Sequence, residues 1–260
     1  MRELPIGLVL GALIVAGCNT SPTPSAAAPV AAAPTTTSSR ATIVPPAAAP
    51  PPASLLRDHE IPWDDTPVLR TLGRIAAEVS ETEYVHGIAV DARRGIYRFD
   101  CSGMAAWVLS RGAPHAHAQT TWRREGRPLA QTYEAVIRAA SPDARTGWRR
   151  VLRVGDARPG DVVAWRKPEH LASQNTGHVA FVVLPPLPLP DDPQAYLVRI
   201  VDATSLHHLN DVRAPPGETG FGYGTIALVV DSADRPIAYG WVGPRGPVFT
   251  TSIEIGRPLS

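Results

Sequence analysis

The sequence is short of cysteine, of net charge and of any long apolar run. Two cysteines, Cys18 and Cys101, stand among 260 residues, too few for a disulfide framework. The formal net charge is +1 and no Lys/Arg cluster stands out, so the electrostatic footprint of a nucleic-acid binder is missing and that class of partner is set aside. The apolar stretch Pro5–Gly17 runs for thirteen residues. That is too short to cross a bilayer as a helix but suits the core of a signal peptide. There is no internal repeat. The histidines of His115-Ala116-His117 and His207-His208 lack Cys or carboxylate companions at metal-site spacing and read as solvated loop residues. No metal and no cofactor are expected.

The organisation follows from composition. Residues 19–55 are almost entirely Ala, Pro, Thr and Ser, which bury no apolar face and form a semi-extended tether. Residues 56–260 are enough for one well-buried domain. The apolar run ends Val15-Ala16-Gly17-Cys18, which resembles the lipobox of bacterial lipoproteins. The resemblance implies a signal peptide over residues 1–18 and a lipid on Cys18, holding the domain to a membrane without spanning it. Asn19 is not the Asp that commonly marks inner-membrane retention, so the expected place is the outer membrane, facing the periplasm.

With Cys18 assigned to a lipid, Cys101 has no intramolecular partner. It lies in Tyr97-Arg98-Phe99-Asp100-Cys101-Ser102-Gly103-Met104, where an extended segment meets an apolar-periodic run that continues to Leu109 and ends at Gly112 and Pro114. Asp100 is a good N-cap, which places Cys101 in the first helical turn. Free N–H groups and the helix dipole there favour a thiolate. A buried structural cysteine is the alternative reading of the same residues.

Thr66 and Pro67 open an earlier helix running to about Ser80, with Val68, Leu72, Ile75, Ala76 and Val79 on one face. Residues 83–99 read as loop or short strand and 115–128 as irregular. Leu129, Tyr133, Val136, Ile137 and Ala140 mark a third helix. Strands are expected at 161–165, 178–184, 196–202, 225–230 and 237–242, with an edge strand near 249–255. Gly220-Phe221-Gly222-Tyr223-Gly224 reads as a flexible turn before a strand. Helices first and strands afterwards argue for an α+β domain with an antiparallel sheet.

A cysteine nucleophile needs a base, and the base needs an orienting group. His178 opens a buried-looking strand. If strands 178–184 and 196–202 form a hairpin in the simplest symmetric register, His178 sits directly opposite Asp202 on one face. The carboxylate then fixes the imidazole tautomer. The register is an assumption, because the connection 185–195 is long.

Asp100-Cys101-Ser102-Gly103, then Arg158-Pro159-Gly160-Asp161-Val162-Val163, then Gly177-His178-Val179-Ala180, in that order, resemble the NlpC family of papain-like cell-wall cysteine peptidases. The likeness covers roughly residues 84–202. It implies a papain-like fold, helices packed on an antiparallel sheet, with Cys101 as nucleophile, His178 as base and later acid, and Asp202 as orienter. It also implies an oxyanion role for Tyr84 beside the Cys101 backbone N–H. The implied substrate is the stem peptide of peptidoglycan, cleaved by a monomer. An idle envelope-binding protein on the same scaffold, and an acyltransferase or amidase acting on another amide, stay open as alternatives. The chain departs from the family in several ways. Asp is an uncommon third residue, and Tyr84-Val85-His86-Gly87-Ile88 lacks the usual paired glycines. The 77 residues from Cys101 to His178 and the 58 after Asp202 are additions expected to reshape the cleft.

Overall fold

The computed structural model describes residues 58–121, 126–213 and 217–260. The segments read as signal peptide and tether, with Cys18, lie outside the described residues. The first helix, α1 (Pro67–Glu78), starts as Thr66 and Pro67 predict: the Thr66 side chain accepts from the Leu69 N–H at 3.1 Å. Val68, Leu69, Leu72 and Ile75 are its buried face. Leu72 is wholly enclosed, and truncation to Ala costs about 2–5 kcal/mol at such a site.

Three short strands follow, β1 (Glu81–Glu83), β2 (Ile88–Asp91) and β3 (Ile96–Phe99). β3 pairs parallel to β1 and antiparallel to β2. They interrupt the expected order of helices before strands, and at three or four residues each they are too short to carry a period-two signature. Next come α2 (Cys101–Gly112), α3 (Pro114–Thr121) and α4 (Ala130–Ala139). The α3 helix takes up the first part, 115–121, of the passage expected to be irregular at 115–128. Pro114 ends α2 but opens α3, since proline suits the first helical position and Ala-rich sequence propagates it.

The rest of the chain builds one sheet: β4 (Gly147–Val151), β5 (Val162–Arg166), β6 (Gly177–Val182), β7 (Leu187–Leu189), β8 (Asp192–Thr204), β9 (Gly220–Val230), β10 (Pro236–Gly240), β11 (Val248–Thr250) and β12 (Ile253–Leu259). The order is β11-β10-β9-β8-β6-β5-β12-β4, with β7 on β8, and every pairing is antiparallel. The fold is α+β with a large antiparallel sheet and few helices. Two expectations are corrected here. The segment near 249–255 is an edge strand only in its first part: β11 ends the sheet, but the chain then turns into β12, which lies between β5 and β4. Gly220–Gly224 is no flexible turn, because it is the first half of β9, paired to β8 throughout.

Alternation along the strands feeds two cores. Val179, Phe181, Val201 and Ala203 pack with the helices, including Met104, Val108 and Leu109 of α2. Ala180, Val182, Val198 and Ile200 face the other side, with Trp165, Ile226 and Tyr239. The rings of Trp165 on β5 and Tyr239 on β10 are 4.8 Å apart although three strands separate theirs in the sheet. The sheet therefore curls around this second core.

Candidate active site

Cys101 is the first residue of α2 and is buried and free. Asp100 caps the helix, its Oδ1 accepting from the Gly103 N–H at 2.7 Å. Arg127 grips the same carboxylate with two contacts of 2.6 Å and also reaches Ser102 Oγ at 2.6 Å. The Cys101 N–H, at the first helical position, has no acceptor in its own helix.

His178 is the second residue of β6, and Gly177 is what permits its approach. Gly177 sits at φ +139°, and a Cβ there would lie 1.8 Å from the Trp165 carbonyl oxygen. No other residue fits that position. The His178 ring lies between Trp165 and Trp241, with centroids 5.0 and 4.9 Å away. Its Nε2 is 2.6 Å from Asp202 Oδ2, and Cys101 is near enough for its charge and side chain to raise the ring's proton affinity. Since Nε2 serves the carboxylate, Nδ1 is the nitrogen left for the thiol.

The register differs from the symmetric hairpin. Phe181 pairs with Val201 and Val182 with Ile200, so Asp202 faces Ala180 rather than His178. The slip is two residues, which keeps both side chains on one face and turns an opposite pair into a diagonal one. The contact survives because parity does.

Asp202 is wholly buried and is surrounded by donors. Besides His178, it meets His208 Nε2 at 2.8 Å on Oδ2 and Arg213 on Oδ1, and Arg213 also bonds its backbone carbonyl at 2.9 Å. Burial opposes ionisation, but His208, Arg213 and the hydrogen bonds from both histidines outweigh it and hold the carboxyl well below its ordinary 3.8. Burial likewise disfavours a charged His178 ring. The Cys101 charge, then the hydrogen bonds to Asp202 and Cys101, reverse that and push its pKa up to about 10. The electrostatics thus favour a protonated His178 ring. His208 corrects the sequence reading: it is a buried partner of Asp202, where a solvated loop histidine was expected. His117 also departs from that reading, as a half-buried residue of α3.

Tyr84, Asn175 and Gly177 line two hollows in common, one reaching Cys101 and the other His178. One, of about 230 Å³, is lined by Asp100, Cys101, Arg127 and His86. The other, of about 380 Å³, is lined by Trp165, Leu206, Tyr239, Trp241 and Phe249. Burial, then the Cys101 and Asp100 charges, raise the Tyr84 phenol above its ordinary 10.0, so it stays an O–H donor. The residues after Asp202 supply one wall of the larger hollow, from Thr204–Leu206, Tyr239, Trp241 and Phe249, and separately supply the Asp202 partners His208 and Arg213.

His178, Asp202 and His208 offer ligand atoms within 4.8 Å of one another, the one such trio among the described residues. Both imidazole nitrogens lie at proton-sharing distance from a single oxygen, and the Arg213 guanidinium takes the other. This geometry fits shared protons better than a cation held beside a guanidinium. No protein-family model, curated protein or solved structure matches the chain.

Proposed function

We propose that this protein is a cysteine hydrolase of the cell envelope that cleaves amide bonds in peptidoglycan stem peptides, on a papain-like scaffold of NlpC type. The observation that carries the reading is the buried group of Cys101, His178 and Asp202, with the carboxylate 2.6 Å from His178 Nε2 and Cys101 near enough to raise the ring's pKa. An envelope-binding protein without turnover has no physical need of that group. The lipobox-like end at Cys18 and the tether behind it place an envelope polymer within reach of the domain.

In this reading the Cys101 thiolate attacks the amide carbonyl carbon. The carbonyl electrons move to oxygen, which the Cys101 N–H and the Tyr84 hydroxyl receive. His178 gives its proton to the departing amine as the C–N bond breaks, leaving a thioester on Cys101. The ring, now neutral, takes a proton from water as water attacks the thioester. The acid is released, the proton stays on His178 and the thiolate re-forms. Asp202 keeps the ring oriented and the imidazolium stabilised through both steps. The aromatic hollow beside His178 also favours a second reading, an amidase or acyltransferase whose acyl or amine portion is bulky and apolar.

Digesting purified sacculi and identifying the fragments by mass spectrometry tests the proposal. Muropeptides cut within the stem are expected from the wild-type protein and none from Cys101→Ala. Equal cleavage by Cys101→Ala would overturn it.

A further inference from the structure

The mechanism above does not use His208. Its ring is buried, lies tilted against Trp241 with centroids 4.2 Å apart, and is fixed at both nitrogens. Nε2 is 2.8 Å from Asp202 Oδ2 and Nδ1 is 3.2 Å from the Trp241 carbonyl oxygen. Both partners are acceptors only: an ionised carboxylate has no proton to give, and neither has a carbonyl. A neutral imidazole carries one N–H and would aim its other lone pair at an acceptor in a dry site, a costly arrangement. The imidazolium satisfies both.

The surroundings are shaped for this ring. On β9, a Cβ at Gly224 would lie 2.5 Å from the His208 Cβ, and one at Gly222 would lie 2.7 Å from the Arg213 Cγ. The alternate glycines of that strand are the space the two side chains occupy. Asp211 Oδ2 closes the cluster, accepting from the His208 backbone N–H at 2.9 Å and from Arg213 Nη1 at 2.6 Å.

We propose that His208 is a positioning residue, held as an imidazolium, that with Arg213 fixes the Asp202 carboxylate and limits the negative charge it presents to His178. This rests on reading Cys101, His178 and Asp202 as a working triad. The charged groups facing His208 are Asp202 from β8, His178 from β6, and Asp211 and Arg213 from its own loop; β9 and the residue after β10 bring only Gly224 and Trp241. The His178 and His208 ring centroids are 6.3 Å apart. At an effective dielectric of about 20, a cation at that distance destabilises His178 as an imidazolium by the equivalent of about one to two pH units.

His208→Gln keeps an amide N–H for Asp202 and removes the charge. The test is the pH dependence of Cys101 alkylation by iodoacetamide, followed on the full-length chain by mass spectrometry of the Cys101 peptide. The upper inflection of that profile marks loss of the His178 proton. In His208→Gln it is expected to move up by about one to two pH units, whereas a merely structural residue would change the rates and leave the inflection in place. Nitrogen NMR of wild-type protein labelled at histidine, with His208 assigned from the variant's missing signal or by through-bond correlation to its backbone, is expected to show both of its ring nitrogens protonated at neutral pH. A neutral His208 ring, or an inflection that does not move, overturns the proposal while leaving the triad standing. A wild-type profile without any His178 inflection would instead overturn the triad reading itself.

Discussion

Asp202→Asn is the perturbation that reaches furthest into this site, because three donors converge on the carboxylate from 2.6 Å (His178), 2.8 Å (His208) and the Arg213 guanidinium. The amide is nearly isosteric but offers one acceptor oxygen to three donors and adds two N–H groups with nothing to receive them. Removing one member of a buried charge cluster typically costs about 3–5 kcal/mol, since the partners stay buried and uncompensated. At about 2–4 °C per kcal/mol, the melting temperature should fall by roughly 10 °C. The effect on chemistry is separable. Opposite charges about 4 Å apart at an effective dielectric of about 20 interact by about 4 kcal/mol, or roughly a thousandfold in the thiolate–imidazolium population. The sign with pH is fixed by the depressed folded-state value of Asp202. Its contribution is fully present above the unfolded value near 4 and is lost as pH falls through the folded value, so wild type and variant converge in stability only in strong acid. Urea unfolding across pH and Cys101 alkylation on the folded protein measure the two effects. A variant within about 0.5 kcal/mol of wild type, with an unchanged alkylation profile, would refute the reasoning for an anionic Asp202.

Three further outcomes are expected. Cys101→Ala removes the charge that does most to raise the His178 pKa, so the pH at which His178 loses its proton should fall below about 10; an identical NMR titration would deny the contact. Gly177→Ala drives a methyl group into the Trp165 carbonyl and should slow Cys101 alkylation sharply while costing upward of about 2 kcal/mol by denaturant, and a silent substitution would mean the start of β6 is not held as described. Arg257→Met strips both 2.8 Å guanidinium contacts from the buried Asp161 carboxylate, at an expected cost of about 2–3 kcal/mol. The alkylation profile of Cys101 should not change, because that pair ties β12 to the turn before β5 and touches nothing in the site.

What was legible in the sequence was what local chemistry decides. Asp100 as N-cap, Cys101 in the first turn, and Thr66-Pro67 at the head of α1 all follow from a few neighbouring residues, and the structure has each in place. His178 and Asp202 were legible as partners because strand parity needs only a period of two. Their register was not, because β7 folds back onto β8 and β8 begins at Asp192, so no tight turn fixed the pairing. The position of β12 between β5 and β4 depends on pairings such as Ile253 with Trp165 and Leu259 with Gly147, far apart along the chain, and nothing near Phe249–Ile255 encodes it. His208 and Arg213 were missed for another reason. Polar loop residues normally face water, and their signal lay elsewhere, in the alternate glycines of 220–224, read as flexibility when they mark space filled by neighbouring side chains.

The charges also explain how an aspartate serves as the third residue, an uncommon choice in the family the chain resembles. An isolated carboxylate buried beside His178 would cost several kcal/mol and would bind the imidazolium so firmly that returning the proton became difficult. With Cys101 and His178 as the proposed ion pair and His208 as the proposed imidazolium, the buried groups alternate in sign: Cys101, His178, Asp202, then His208 and Arg213, and finally Asp211. Three negative charges face three positive ones, and the sum stays zero whether the shared proton rests on His178 or returns to the sulfur. Proton transfer between Cys101 and His178 therefore moves a dipole within a neutral cluster and creates no net buried charge. His208 and Arg213 are the members that make the balance close, which is why an acidic third residue and a cationic backing belong together in this chain.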